Sequence, residues 1–493
     1  MVAGCSGRMN WDATTAWAWD EFGKAELGDF RNTRRVVRMA AQAVRTPGGR
    51  LTTVFADENE LEGAYDLLEN DRVGRAALGR GIAAGCAERC TRLPFAWIVV
   101  DGTSLSLKDL SGDKGFGPIG NESNGARGIK AITVFVLDPN GTPQGLGQFD
   151  WWIRTPAPLR DDGKSKVDNG KRKVKDKETQ RWLDAIGNTR EVWQQHAPAT
   201  KRWWVIDREA DSWSLLLEAC RDNDWMTIRS KVNRRVKAMQ HDNVYLRDVL
   251  AAQHVLDEFE LSVPQGPKRT ARLARMQMRC CQVTLDMHEK WSKKKHPLTV
   301  NVLWVYEVGT APVGEEPLDW VLLTNHPIDT LEDACLVLFS YTQRWRIEDF
   351  HRAWKSAGCC VENNQLRGPD QVIKWAMILA TVAARAERLK LLARNEPMLP
   401  ASVELTPYEI TAIRALHRLR AKPGERIARM PTIDKAVLWI AQLGGYTGKS
   451  SGGPPGAMTI MRGLERLRDV ALGIELAELA ARTSNGNPSG IPG

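Results

Sequence analysis

Residues 95–106 read Phe-Ala-Trp-Ile-Val-Val-Asp-Gly-Thr-Ser-Leu-Ser, six apolar residues followed at once by Asp101. A short apolar run with a polar boundary is the pattern of a buried strand, here Phe95–Val100. Working outward, Ile129–Leu137 (IKAITVFVL) reads as a second strand, and Asp138-Pro-Asn-Gly141 is a turn. Gly145–Ile153 then completes a hairpin. Trp203–Ile206 (WWVI) is a fourth strand and again ends in an aspartate, Asp207. Ser212–Cys220 reads as a helix and Trp225–Arg229 as a fifth strand. The order strand, hairpin, strand, helix, strand predicts an α/β fold with a mixed sheet rather than a strictly alternating one.

The flanks have different textures. Residues 10–75 read as helical, with segments at Trp11–Phe22, Asp29–Arg45 and Glu58–Leu68. Residues 240–328 alternate short apolar strands (Phe259–Val263, Cys281–Leu285, Leu298–Val308, Trp320–Thr324) with polar turns, as a β-rich insertion would. A long helix is expected over Leu331–Ala357, opened by Thr330 and Asp333 as a capping box. The expected units are therefore a helical one at 1–75, an α/β one at 76–367, a helical one at 368–483 and a disordered tail at 484–493.

The 493 residues are 43% hydrophobic and 26% charged, the balance of a globular chain long enough for several units. No run approaches the roughly 18 apolar residues of a membrane helix. Met1–Met9 lacks the pattern of a secretory signal, so the expectation is a cytoplasmic protein with no membrane partner. Nine cysteines without a CxxC fit reduced thiols better than zinc ligands. The net charge of +9 suits a polyanionic partner. Basic residues cluster at Arg31–Arg38, Lys164–Lys177, Arg229–Lys237 and Lys268–Arg279, which suggests several contacts along a duplex; the alternative is a set of solvated faces. Gly115–Gly120 is no phosphate loop, since no Gly-Lys-Ser/Thr follows.

Asp101 and Asp207, each just past an apolar strand, would emerge at the carboxyl edge of the sheet, although either alone reads more readily as a turn or capping residue. The long helix adds to them. At about 100° per residue, Tyr341, Arg344, Glu348 and Lys355 fall within an arc of about 60°, and Phe339, Ile347, Phe350 and Trp354 fall roughly opposite. A plain Arg344–Glu348 surface pair is the ordinary account. The other is that Glu348 joins Asp101 and Asp207 around metal. Three carboxylates without His or Cys are a hard-ligand set for Mg²⁺ or Mn²⁺, and two such ions about 4 Å apart serve in-line phosphoryl transfer. Tyr341, Arg344 and Lys355 would then face neighbouring phosphates.

Asp101-Gly-Thr-Ser-Leu-Ser106, Asp207-Arg-Glu-Ala-Asp211 and Tyr341–Lys355 (YTQRWRIEDFHRAWK) together resemble the three catalytic blocks of DDE transposases. The spacing of Tyr341, Arg344, Glu348 and Lys355 resembles the YREK signature of the hairpin-forming insertion-sequence family four. The likeness extends to Ala25–Asp29, Glu62–Tyr65 and Leu443–Tyr446. It implies a bacterial, nucleoid-associated enzyme with a ribonuclease-H-like core, an N-terminal domain that reads transposon ends and a C-terminal domain that dimerises. It also implies two Mg²⁺ ions, double-stranded DNA as partner (transposon ends and target) and a homodimer in a synaptic complex. The chemistry implied is nicking, hairpin formation by the freed 3′-hydroxyl, hairpin opening and strand transfer. Trp320 matches the aromatic residue that stacks on a flipped base, against strand packing as its ordinary role. Arg229 and Lys231 match basic residues of the DNA channel. The rival readings are a metal nuclease of the same core that does not join strands, and a non-catalytic DNA-binding regulator.

Overall fold

The computed structural model describes residues 13–109, 112–120, 125–155, 174, 177–238, 241–266, 269–288, 295–356, 358–448 and 453–484. The tail expected at 484–493 lies outside them but for Ser484, as do Lys268 and nearly all of the basic loop at 164–177.

The N-terminal region is helical: α1 (Ala13–Phe22), α2 (Phe30–Arg45), α3 (Leu51–Val54), α4 (Glu58–Glu69) and α5 (Arg75–Arg89). Asp29 caps α2 by accepting from the Arg31 N–H, and Asp57 caps α4 through Glu60. The buried side of α2 is Val36, Val37, Ala40 and Val44, the stripe its periodicity predicts. Helix α5 packs against α1 at Gly85, where a Cβ would overlap the Asp20 carbonyl oxygen.

The central sheet begins with β1 (Phe95–Ser106), β2 (Gly117–Pro118), β3 (Arg127–Leu137) and β4 (Pro143–Trp152). After α6 (Thr179–His196) come β5 (Lys201–Ile206), α7 (Trp213–Ala219) and β6 (Trp225–Arg229). Strands β4, β3 and β1 pair antiparallel, and β5 and β6 continue from β1 in parallel, so the expected mixed α/β sheet is present. Helix α6 is absent from the expected order, although Trp182, Ala185, Ile186, Thr189 and Trp193 bury at helical spacing.

The β-rich segment starts earlier than expected and is part of the same sheet. Strands β7 (Arg235–Ala238) and β8 (His241–Tyr245), helix α8 (Leu246–Ala251), and strands β9 (Asp257–Val263), β10 (Arg272–His288), β11 (Lys295–Glu307) and β12 (Asp319–Thr324) follow β6 in the chain. β12 pairs antiparallel with β6, which extends the sheet to twelve strands among the described residues.

Helix α9 (Leu331–Thr342) opens with the expected Thr330–Asp333 capping box. The helix expected over Leu331–Ala357 is in fact two, because α10 (Trp345–Lys355) begins after a tightened turn at Gln343 and Arg344. There Arg344 N–H bonds the Tyr341 carbonyl and Arg346 N–H bonds Gln343, the i→i−3 pattern of a 3₁₀ turn.

Helix α11 (Pro369–Asn395) is buried on nearly every side. Its first part belongs to the core shared by the N-terminal helices and one face of the sheet. Leu389 and Leu392 belong instead to a separate core with α12 (Pro407–Arg418), α13 (Ile433–Leu443) and α14 (Ala457–Ser484). The second face of the sheet packs on α6, α7 and α8. Among the described residues no helix is long and apolar enough to cross a membrane.

Candidate active site

The parallel ladder between β1 and β5 ends at Val100–Ile206, and that between β5 and β6 ends at Ile206–Ile228. The next residues are Asp101, Asp207 and Arg229, at one level on three neighbouring strands. Side chains alternate along a strand. Trp97, Val99, Trp203 and Val205 lie in the core that includes Ile347 and Phe350, so Asp101 and Asp207 point to the face covered by α9 and α10. One expectation needs correcting. Asp101 does not stand past the end of its strand, because β1 runs on to Ser106 in antiparallel pairing with β3, and Asp101 faces Thr133 there.

Helices α9 and α10 bring the remaining groups. The Tyr341 hydroxyl donates to Asp207 Oδ1 at 3.0 Å. Arg344 Nη2 donates to Glu348 Oε1 at 2.7 Å, and its Nη1 lies 3.9 Å from Asp101 Oδ2. One guanidinium thus stands among the acids, with its Nε unpartnered and its face 4.7 Å from the Trp345 ring. The expected polar and apolar sides of the helix hold for most positions: Ile347, Phe350 and Trp354 are fully buried. Phe339 departs from them at 39% exposed, while Tyr341 on the polar side is only 3% exposed. The polar side therefore covers the sheet edge instead of facing solvent.

Burial pushes the Asp101 carboxyl up to about 7; Arg344 and the Gly102 N–H oppose this, and Glu348 and Glu209 add to it. Burial and the Asp207 charge push Tyr341 up to about 12, which keeps it a neutral donor. Burial works against the charge of Arg344, but Asp207, Tyr341 and Glu348 outweigh it and hold its pKa above the usual value. Lys355 is lowered by burial, against the pull of Glu362 and Asp101. The site is rich in carboxylates, and Arg344 is its central cation. Among the described residues no three His, Cys, Asp or Glu side chains stand close enough, as they lie, to enclose a metal ion.

Of the remaining residues expected here, Lys355 is within electrostatic reach of Glu362 and Asp101. The Trp320 ring on β12 is partly buried, 6.4 Å from that of Tyr341. Arg229 Nη2 donates to the Asp319 carbonyl at 3.2 Å. Lys231 is exposed, and its backbone N–H donates to Asp211 Oδ2. Sequence reasoning passed over four neighbours. Glu209 lies within the quoted Asp207–Asp211 block, and Glu362 accepts from the Ser106 N–H at 2.7 Å. Thr133 and His351 are placed only by the packing of α10 on the sheet. Part of the basic clustering is also internal. Arg272 pairs with Glu307 and Glu315, Arg275 with Glu258 and Arg234 with Asp211, whereas Arg34 is exposed on α2.

Both ends of the chain match transposase families. Residues 14–73 match a family described as transposase DNA-binding, and residues 381–486 match the transposase Tn5 dimerisation domain. The first covers α1 to α4 and the second runs from within α11 to the end of α14. Together they support a Tn5-like transposase that binds DNA and pairs with a second subunit. The carboxylate site lies in the stretch of chain between the two matches.

Proposed function

We propose that the protein is a cut-and-paste DNA transposase of the insertion-sequence family four type. It binds the inverted-repeat ends of its element as a homodimer, cleaves them through a hairpin intermediate and transfers the 3′ ends into target DNA. The observation that carries the reading is that Arg344 bridges Asp101 and Glu348 while Tyr341, one turn earlier, bonds Asp207, in a chain whose two ends match transposase DNA-binding and dimerisation families. The antiparallel β4–β3–β1 unit continued in parallel by β5 and β6 supports a ribonuclease-H-like core.

The donor set suits Mg²⁺, with Mn²⁺ as a substitute, because it is all carboxylate and because burial, with smaller contributions from Glu348 and Glu209, pushes Asp101 up to about 7, a shift a bound cation would reverse. Asp101, Asp207 and Glu348 would hold two such ions once Arg344 gives up Glu348. Bound there, divalent ions supply an activated water or 3′-hydroxyl and neutralise charge in an in-line phosphoryl transfer. The chain's own groups orient and steer. Tyr341 holds Asp207 in one rotamer. Arg344, released from Glu348, offers a forked contact to a phosphate and Lys355 a point charge. In this reading Trp320 stacks on an extruded base, and Arg229 and Lys231 contact the DNA.

The test is incubation with Mg²⁺ and a supercoiled plasmid carrying candidate ends, comparing the parent chain with Glu348→Ala. Hairpin-ended fragments and joined products from the parent alone support the reading. Identical products from both proteins overturn the role of the three acids. Cut but unjoined ends identify a nuclease without strand transfer, and DNA binding without cleavage identifies a regulator.

A further inference from the structure

His351 is a buried titratable group to which the mechanism above gives no task. It follows Glu348 by three residues on α10 and is 8% exposed. Its Nε2 lies 2.8 Å from the Thr133 hydroxyl. Thr133 is fully buried on β3 and is the cross-strand partner of Asp101. Its hydroxyl also reaches the Asp101 carbonyl oxygen at 3.4 Å. A short polar path therefore runs from the helix bearing Glu348 to the backbone of the strand bearing Asp101.

The seam around this path is apolar. Phe135 of β3 stacks on Phe350 at 5.0 Å, and Phe350 stacks on Trp354 at 5.7 Å. Apolar contact drives α10 onto the sheet but has no direction, so it holds the helix without setting how far it slides. A hydrogen bond is directional, and losing it strands buried polar groups, so it can set that distance. The imidazole suits the task because burial and Lys355 push its pKa down to about 3. It stays neutral, with one donor and one acceptor nitrogen. The Thr133 hydroxyl can accept from the ring and donate to the Asp101 carbonyl at once. On the far side of α10, Asp349 is held by Lys390 of α11 at 3.1 Å, so the helix is fixed from both flanks.

We propose that the His351–Thr133 hydrogen bond sets the spacing between Glu348 and Asp101, which makes both residues positioning residues of the phosphoryl-transfer site. The inference rests on the reading of Asp101 and Glu348 as catalytic acids. It assigns to His351 no proton transfer and no contact with DNA.

The experiment uses the full chain and compares Thr133→Val, Thr133→Ser and Asp101→Asn with the parent. Three readouts are taken: Mn²⁺ affinity from the free-ion electron paramagnetic resonance signal, single-turnover cleavage of end-bearing DNA, and DNA-end affinity by gel shift. Thr133→Val is expected to weaken Mn²⁺ binding and slow cleavage by about tenfold, with DNA-end affinity and the thermal melting transition retained. Thr133→Ser, which keeps the hydroxyl, should return both to within about twofold of the parent. Should Thr133→Val lose its melting transition, His351→Leu against His351→Gln carries the same comparison. Parent-like Mn²⁺ binding and cleavage in Thr133→Val, or equal losses in Thr133→Val and Thr133→Ser, overturn the inference. If Asp101→Asn is inactive while Thr133→Val is parent-like, only the positioning role falls. If Asp101→Asn cleaves as the parent does, the catalytic-acid reading falls and takes this inference with it.

Discussion

Asp101 and Asp207 occupy equivalent places on adjacent parallel strands, each one residue beyond the paired Val100 and Ile206. Neighbouring strands lie about 4.8 Å apart, so the backbone ladder itself sets the two carboxylates side by side. Glu348 then approaches from a helix laid across that edge. Since the ladder leaves little freedom, one extra methylene moves a carboxylate off its place by more than about 1 Å. Asp101→Glu and Asp207→Glu are each expected to slow end cleavage by at least about 100-fold, with DNA-end binding unchanged in a gel shift. Cleavage within a few-fold of the parent would show that the carboxylate positions are not critical.

Tyr341 is the direct partner of Asp207. Tyr341→Phe removes one hydrogen bond and leaves the ring against Trp320. A loss of about tenfold in single-turnover cleavage is expected, the equivalent of roughly 1.4 kcal/mol. With its pKa pushed up to about 12, Tyr341 stays protonated, so the parent's rate between pH 7 and pH 9 should show no inflection from this group. An inflection there that disappears in Tyr341→Phe would assign it a proton-transfer role instead.

His351 makes the fold sensitive to acid. Its folded pKa is pushed down to about 3, against about 6.5 when unfolded. Above pH 6.5 the ring is neutral in both states and nothing is lost. As pH falls from 6.5 toward 3, the unfolded chain takes up a proton that the folded one excludes, and stability drops by up to about 1.4 kcal/mol per pH unit. Urea midpoints compared at pH 7 and pH 5 should fall less for His351→Gln than for the parent.

Lys374 joins the N-terminal helices to α11. It is buried, its ammonium donates to the carbonyls of Leu68 and Asn70 at 3.1 Å each, and it pairs with Asp370 at 2.7 Å. The two carbonyls belong to the end of α4, where no intrahelical donors remain. Lys374→Met takes this donor from both, although Asn70 keeps the Val73 N–H at 3.0 Å, and should cost about 2 kcal/mol through the buried Leu68 carbonyl. Limited proteolysis near residues 68–75 should accelerate before the sheet is attacked, whereas an unchanged cleavage pattern would show that the contact is dispensable.

Gly49 makes a second junction. Its carbonyl accepts from Trp375 Nε1 at 2.7 Å, and a Cβ there would overlap the Cys360 carbonyl oxygen. Backbone cannot yield as a flexible side chain can, so Gly49→Ala should destabilise by at least about 2 kcal/mol. Thermal melting followed by circular dichroism would show the shift, and a variant melting with the parent would mean that the loop at 47–50 can move aside.

Much of the fold is legible in the sequence. The apolar runs Phe95–Val100, Ile129–Leu137, Trp203–Ile206 and Trp225–Arg229 became strands because nothing in their composition competes with burial. Asp29 and Thr330 start helices through local capping bonds. What was misread depends on distant partners. Asp101 resembled a strand end because polarity begins there, yet pairing with Thr133 carries β1 onward. The helix over 331–357 looked continuous because Gln343 and Arg344 are good helix formers, and both keep right-handed backbone angles within the tightened turn. Some basic residues grouped as candidate duplex contacts proved to be ion-paired across strands, as with Arg272.

The sequence by itself determined most of the strands, the aspartate that directly follows each of two apolar runs and the helical face shared by Tyr341, Arg344 and Glu348, because these follow from runs and from periods of two and about 3.6 residues along a single chain. Only the tertiary structure decided that Tyr341 bonds Asp207, that Arg344 stands among the acids and that His351 reaches Thr133. Those contacts join residues more than a hundred positions apart, and their distances depend on how α9 and α10 pack across the sheet, which no local period encodes.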